Sequence, residues 1–492
     1  MVPSGTASGG LVPHAAGIAS AGAMTLQPLD WFAIVFYALA LLGIGFGIAP
    51  RWERGGGTDA EEFLLAGRRL SLPFFVATLV ATWYGAILGV GEFVYRYGVV
   101  AWLCLGVPYY VAAVSFALWI AGRIREQQTL TLPEQLQRLY GAAAGRLGAL
   151  VLLVITIPAA YMLMLAQMLA TLLGWRLEMA LLLGTVFSVV YLLIGGFRAD
   201  VLTNALQFVL MYAGFVVLLL FATVRLGGLE ELWQRLPPQH RSVPGELGWM
   251  GVAVWFAIAL QTFVDPSFYQ RCAAARSPAL ARRGILVSVC LWCVFDALTL
   301  LAGLYARAYI QTVPLNAYPA LAEAVLPAGW KGLFVVALLA TVMSTLESYT
   351  FLAAATLGND LLQAVPKVRA WSVRRRTQLG IVVTTVGSAL LAYLIPSAVE
   401  LFVRTASIAV PALLFAYLLG YSRRYALPAH RAVPLMGMTA LASLLWMLLR
   451  HWVPQGLPEL EPMVVGMGVG ALLSLLWRRR HDAVALDTFE RD

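Results

Sequence analysis

Four ionisable residues stand inside long apolar stretches of the chain: Asp265, followed at once by Pro266; Asp296, alone in LWCVFDALTLL; Glu347, in ATVMSTLES; and Arg404, in LFVRTASIAVP. An uncompensated charge at such a depth costs several kcal/mol in hydrocarbon, so each must meet a counter-charge, a cation or a proton. Three residues before Glu347 stands the hydroxyl pair Ser344-Thr345. Neutral hydroxyls, joined by backbone carbonyls freed at a helix break, can replace much of the water shell of a hard monovalent cation. The same pair can instead bond back to its own helix or hold two helices together. Cys290 and Cys293 form a C-x-x-C within an apolar stretch, with no second pair or histidine beside it, and neither redox nor metal chemistry is expected there. Paired carboxylates and activated nucleophiles are missing from the sequence pattern, so no enzymatic activity is expected.

These residues need elements to position them, and composition says which. Of 492 residues 61% are apolar and 12% charged, against about 45–50% and about 25% in soluble domains. The charges cluster between thirteen apolar runs, at approximately 31–50, 73–95, 99–122, 147–174, 177–195, 200–224, 247–270, 284–307, 330–356, 377–395, 398–421, 432–450 and 460–477. Each run is long enough for a membrane-spanning helix, and the connections are too short for a separate domain. Four cysteines are too few for a disulfide scaffold.

The net charge of +9 does not indicate nucleic acid, because 33 of the 34 basic residues lie in connections or tails and only Arg404 falls well inside a run. Twenty-five of them fall on alternate connections and the C-terminal tail, Arg271 and Arg198 included, against eight on the others. The positive-inside rule then places the N-terminus outside, the C-terminus in the cytoplasm and the chain in the cell membrane. The segments around 126–140 and 357–376 are expected along the cytoplasmic interface. Residues 1–30 read as a disordered tail, with Met24 a candidate initiator, and 479–492 as a short cytoplasmic tail. Two runs look mechanically special: the second, with Gly85, Gly89 and Gly91, and the seventh, with Asp265-Pro266. They stand five spans apart, as in two inverted five-helix repeats that each open with a discontinuous helix.

Four strings sharpen this reading: GRRLSLPFFVATLVATWYGAILGVGEFVYRYG, GGFRADVLTNALQFVLMYAGF, DPSFYQRCAAARS and LLATVMSTLESYTFLAAATLGND. In this order and spacing the chain resembles the sodium/solute symporter family, whose members carry sugars, proline, pantothenate and sialic acid with sodium. The resemblance implies an all-α polytopic protein with the LeuT-type fold: a leading helix and its cytoplasmic loop (31–72), core helices 1–5 (73–224), core helices 6–10 with their outer loop (225–421) and two trailing helices (422–478).

It also implies a sodium site between core helices 1 and 8, formed by the carbonyls of Ala81, Tyr84 and Thr341 and the hydroxyls of Ser344 and Thr345. Some members hold a second sodium on an aspartate of core helix 5. Here the GG…T-D…Q motif reads Gly195-Gly196…Thr203-Asn204…Gln207, and Glu347-Ser348 stand where those members place serines. Asn204, Glu347 and Ser348 are therefore the candidates for a second cation or a proton, and a hydrogen bond between Glu347 and Asn204 or a hydroxyl is the structural alternative. Substrate contacts are expected from Trp83, Leu88, Gln167, Gln261, Asp265, Phe268, Asp296, Arg404 and Ser407. Asp265 is expected to grip a polar or cationic group of the solute, and Asp296 with Arg404 either to close the outer side as a pair or to meet the solute.

The expected function is sodium-coupled symport of a small polar organic solute into the cell by alternating access, with sodium as the only metal and no other cofactor. The partners are the solute, sodium and the lipid bilayer, without nucleic acid. A proton-coupled carrier using Glu347 and a non-transporting membrane sensor are the alternatives; the twelve residues after Arg480 leave no room for a signalling domain.

Overall fold

The computed structural model describes residues 24–51, 57–395, 398–422, 425–450 and 461–480, of which 398–404 and 480 are described by backbone alone. The expected tails up to residue 23 and from 481, and the Arg404 side chain, lie outside the described residues. Every one of the thirteen apolar runs carries a helix. Among the described residues ten helices are long and apolar enough to cross a membrane; three shorter ones, Leu72–Ala81, Thr405–Gly420 and Pro462–Trp477, fall on the second, eleventh and thirteenth runs.

The second run is short because it breaks. Core helix 1 has an inner half, Leu72–Ala81, and an outer half, Ile87–Tyr97, separated by the non-helical Thr82–Ala86. Core helix 6 repeats the device. Its outer half, Gly248–Ile258, tightens into a 3-10 stretch, Ala259–Val264, and Asp265 is extended (φ −70°, ψ 116°) before the inner half, Pro266–Ala274. Pro266 explains the extended residue: its ring excludes the α conformation from the residue before it, and it has no N–H to continue a helix.

Core helix 8 (Trp330–Ala355) is enclosed on all sides, with 94% of its most apolar window buried. A helix that is apolar all round belongs at the centre of a bundle. Core helix 5 (Phe197–Leu226) lies along it, and a Cβ on Gly214 would stand 2.2 Å from the Cβ of Ala337. Glycine is required at that close approach, as small residues commonly are between membrane helices.

The leading helix begins at Pro28, three residues before the expected start, and Met24–Gln27 are ordered ahead of it, which corrects the boundary of the expected tail. The reason is a set of specific bonds. Asp30 is fully buried and accepts from the backbone N–H of Gly329 (2.7 Å), Gly332 (2.7 Å) and Gln27 (2.9 Å), closing the N-terminus of core helix 8 and its own helix together. Thr25 donates to Glu323 (2.6 Å), which pairs with Lys331 (2.8 Å).

Where core helix 1 begins and core helix 6 ends, the two broken helices are stitched together by backbone. Leu70 N–H donates to the Ala274 carbonyl (3.0 Å), and Arg276 N–H donates to the Leu70 carbonyl (3.3 Å). Arg68, 8% exposed, donates to the carbonyls of Ala273 (3.1 Å), Gln128 (2.9 Å) and Thr129 (3.3 Å) and pairs with Glu61 (2.9 Å). That guanidinium holds the Glu61 carboxyl below its ordinary range.

Candidate functional site

The break in core helix 1 lies against the middle of core helix 8. A Cβ on Gly85 would come within 2.6 Å of Thr345 Cβ and 2.7 Å of the Tyr161 ring, so only glycine lets the unwound backbone approach this closely. Ser344 Oγ donates toward the Ala81 carbonyl (2.8 Å) and lies 3.0 Å from the Thr341 carbonyl. Thr345 Oγ1 donates to the Thr82 carbonyl (2.9 Å). Ala81, Thr341, Ser344 and Thr345 are thus brought together as expected, and all four residues are buried. The carbonyl that Thr345 reaches is that of Thr82, two residues before Tyr84, whose hydroxyl donates to Asp296 (2.7 Å). The oxygens gathered here are neutral hydroxyls and carbonyls, a donor set that suits a hard monovalent ion.

Next to this group the candidate substrate residues divide into three. Trp83, in the break of core helix 1, contacts Phe268 edge-on (centroids 5.6 Å apart), Trp292 (5.0 Å) and Tyr109 (5.3 Å), whose hydroxyl accepts from Gln261 (3.2 Å). Asp265 turns back on its own half-helix, accepting from the Ser267 N–H (2.7 Å), and its other oxygen accepts from Tyr349 (3.0 Å). Both of its oxygens are therefore engaged within the protein. Asp296 is held between the hydroxyls of Tyr84 (2.7 Å) and Tyr110. The described residues around it form no Asp–Arg pair with it, and Arg404 lies outside them by side chain. Leu88 and Ser407 are buried and Gln167 half-buried, and no hydrogen bond joins these three to the aromatic group among the described residues.

The trio proposed for a second cation is split. Asn204 Nδ2 donates to Thr78 (3.0 Å) and Ser348 (3.1 Å), whereas Glu347 faces away from Asn204, toward Thr203 (2.9 Å) and Gln207 (3.1 Å). Sharing Thr78 and Ser348 with Asn204 is a group that hydropathy assigned to a cytoplasmic connection, Arg271. It is fully buried, and its Nη2 lies within hydrogen-bond reach of Ser348 (2.8 Å), Thr78 (3.0 Å), Thr82 (3.0 Å) and the carboxylate of Asp200 (3.1 Å). Asp200 Oδ1 also accepts from Ser348 (2.6 Å). Asp200 precedes Asn204 by one helical turn on core helix 5, so a carboxylate does serve this place, displaced by a turn. Its spacing of four from Asn204 was the available signal; its partner, 71 residues onward, was not visible in any local pattern.

A sequence profile of the sodium:solute symporter family matches residues 63–420. The sodium/pantothenate symporter of Escherichia coli (strain K12) is 28% identical over 379 residues, which are 73% of this chain and 78% of that protein. Human sodium-coupled monocarboxylate transporter 1 is 25% identical over 373 residues, 70% of this chain and 60% of that protein. Among solved structures, a Na+-coupled sialic acid symporter in a substrate-bound outward-open state superposes with a TM-score of 0.76 at 15% identity, covering 92% of this chain and 99% of that one. A nucleobase-cation-symport-1 family transporter superposes at 0.58 and 14% identity, covering 85% and 94%. The structural likeness establishes the LeuT-type fold, and with the profile covering most of its length this chain belongs to the sodium:solute symporter family, multi-pass membrane proteins that carry small solutes with sodium.

Proposed function

We propose that this symporter carries a small polar organic solute into the cell across the cell membrane, with its N-terminus outside and its C-terminus in the cytoplasm. Sodium binds between the break of core helix 1 and core helix 8, on the Ala81, Tyr84 and Thr341 carbonyls and the Ser344 and Thr345 hydroxyls. The solute binds beside it, where Trp83 and Phe268 meet. The observation that carries this reading is the landing of both hydroxyls on the carbonyls of the broken helix, at 2.8 and 2.9 Å. A cation placed among these oxygens ties the broken segment to core helix 8 and so favours one of the two arrangements of the repeats. Trp83 belongs to the same break, so ordering the break also shapes the aromatic wall against which the solute packs.

The Asp265 carboxylate, tied to its own helix start and to Tyr349, sets the angle of the inner half of core helix 6 in this reading and supports Phe268. Asp296, both of whose oxygens accept from the hydroxyls of Tyr84 and Tyr110, meets the solute in this reading through that clasp. The test is a thermal-shift screen of amines, amino acids, monocarboxylates and neutral polar metabolites, with sodium or with potassium. A ligand that binds the folded protein raises its apparent stability by mass action. The expected result is a class of compounds whose stabilisation requires sodium; stabilisation that is equal in potassium would remove the coupling role assigned to the Ser344 and Thr345 site.

A further inference from the structure

We propose that His240 is a pH-sensitive latch at the far end of core helix 1 from the stitching: neutral, it accepts from Arg307 and fastens the loop before core helix 6 to core helix 7 (Pro278–Tyr309); protonated, it gives up Arg307 and donates to the Tyr95 carbonyl of core helix 1. The placing of this end outside the cell rests on the proposed orientation; the switch itself does not. His240 lies in the short turn Pro238–Arg241, in the connection between the spans Phe197–Leu226 and Gly245–Ala274. It is nevertheless 4% exposed, because the turn is docked. Its carbonyl accepts from the Val99 N–H (2.9 Å), and a Cβ on Gly98, where φ is +69°, would stand 2.2 Å from that oxygen, so only glycine permits the approach.

The ring nitrogen Nε2 stands within reach of two groups that make opposite demands. Arg307 Nε, at 3.2 Å, can only donate, so Nε2 must offer it a lone pair; the Tyr95 carbonyl, at 3.1 Å, can only accept, so Nε2 must offer it a hydrogen. One nitrogen cannot do both. A neutral ring with its hydrogen on Nδ1 serves Arg307, and a charged ring, with hydrogens on both nitrogens, serves Tyr95 and repels the guanidinium. The charged groups on the elements around the ring are Arg307 on core helix 7, Glu246 on the turn Gly245–Leu247, the Glu92–Arg96 pair on core helix 1 (2.8 Å) and the adjacent Arg241. Burial and then Arg307 hold the ring below the ordinary histidine range, against the Tyr95 and Arg96 carbonyls and Glu246, which favour its charge. A proton taken up more readily by the unfolded chain than by the folded one makes stability fall as the pH drops below the ordinary histidine value of ~6.5. Core helix 7 also carries Trp292 and Asp296, so acid at this end unfastens a helix that lines the proposed solute site.

The test uses the purified, untagged full-length protein with 15N-labelled histidine, whose five rings are followed by NMR against pH. One ring, identified by its loss in His240→Gln, should show an unprotonated Nε2 when neutral and titrate below ~6.5. Its midpoint should rise in Arg307→Gln and stay low in Arg307→Lys, which keeps the charge. The melting temperature of the unaltered protein should fall more steeply on acidification than that of His240→Gln. A neutral ring with its hydrogen on Nε2, a midpoint indifferent to Arg307→Gln, or a ring that stays neutral over the whole range in which the protein is folded would each overturn the latch. So would equal acid sensitivity of the two melting temperatures, since the ring would then titrate without effect on the fold.

Discussion

The hydroxyls of Ser344 and Thr345 each reach a different carbonyl of the same unwound segment, and this makes them separable by substitution. Thr345→Ala removes one of about five proposed ligands; a loss of ~1.4 kcal/mol corresponds to a tenfold weaker affinity, so sodium binding should weaken at least tenfold. Thr345→Ser, which keeps the hydroxyl, should retain most of it. Unchanged sodium affinity in the alanine variant, measured with radioactive sodium on purified protein, would remove Thr345 from the site. This pair was legible in the chain because ATVMSTLES matched a string of the family, which placed it on core helix 8 opposite core helix 1; that its threonine reaches the Thr82 carbonyl was not legible. Nor were Asp200 and Arg271. Arg271 lies one residue past an apolar run and reads as interfacial until the break in core helix 6 is seen, because the inner half-helix Pro266–Ala274 buries all of its residues and takes the guanidinium to a carboxylate on another repeat. Burial of one charge beside its opposite is a property of the packed pair, and each member alone resembles a solvated residue.

At the scale of elements, the site depends on two helices that stop. Proline does this openly in core helix 6, and DP was readable as a break. In core helix 1 no proline marks the interruption; the glycine content suggested it, and the structure locates it at Thr82–Ala86, between Ala81 and Ile87. The glycine that matters is Gly85, whose missing side chain leaves room for Thr345 and Tyr161. Gly85→Ala should therefore push the break away from core helix 8, abolish sodium-dependent stabilisation and leave the rest of the bundle folded. Gly89, with open space around it, is the internal control, since Gly89→Ala meets no neighbour within 4 Å. Equal sodium responses in the two variants, compared by thermal shift, would mean that the close approach of the break is dispensable. The leading helix, which hydropathy alone marks only as a span, is joined to core helices 5 and 8 through Tyr37, because its docking by Asp30 brings that hydroxyl to Gln207 and Met343.

Across the whole molecule, alternating access requires that one end of the pathway be closed by contacts that can also be given up, and the stitching of core helix 1 to core helix 6, on the side proposed to face the cytoplasm, has that character. The Leu70–Ala275 bridge and the Arg68 bonds join the lead-in of core helix 1 to the end of core helix 6, the two elements related by the inverted repeat. Their bonds run mainly from backbone and guanidinium to carbonyls, so opening exchanges these hydrogen bonds for bonds to water. Cys272 lies beside this closure, fully buried and unpaired with another cysteine, and serves as a native reporter. Arg68→Ala removes three carbonyl contacts and the pair with Glu61, and should raise the rate at which a thiol reagent modifies Cys272 several-fold. In the proposed reading sodium should slow the same reaction in the unaltered protein, because an ion that ties the core helix 1 break to core helix 8 favours the arrangement in which this end is closed. The control is Arg68→Ala with Cys272→Ala, which subtracts labelling at the other three cysteines. If sodium leaves the rate unchanged while it still binds, the ion does not bias this closure.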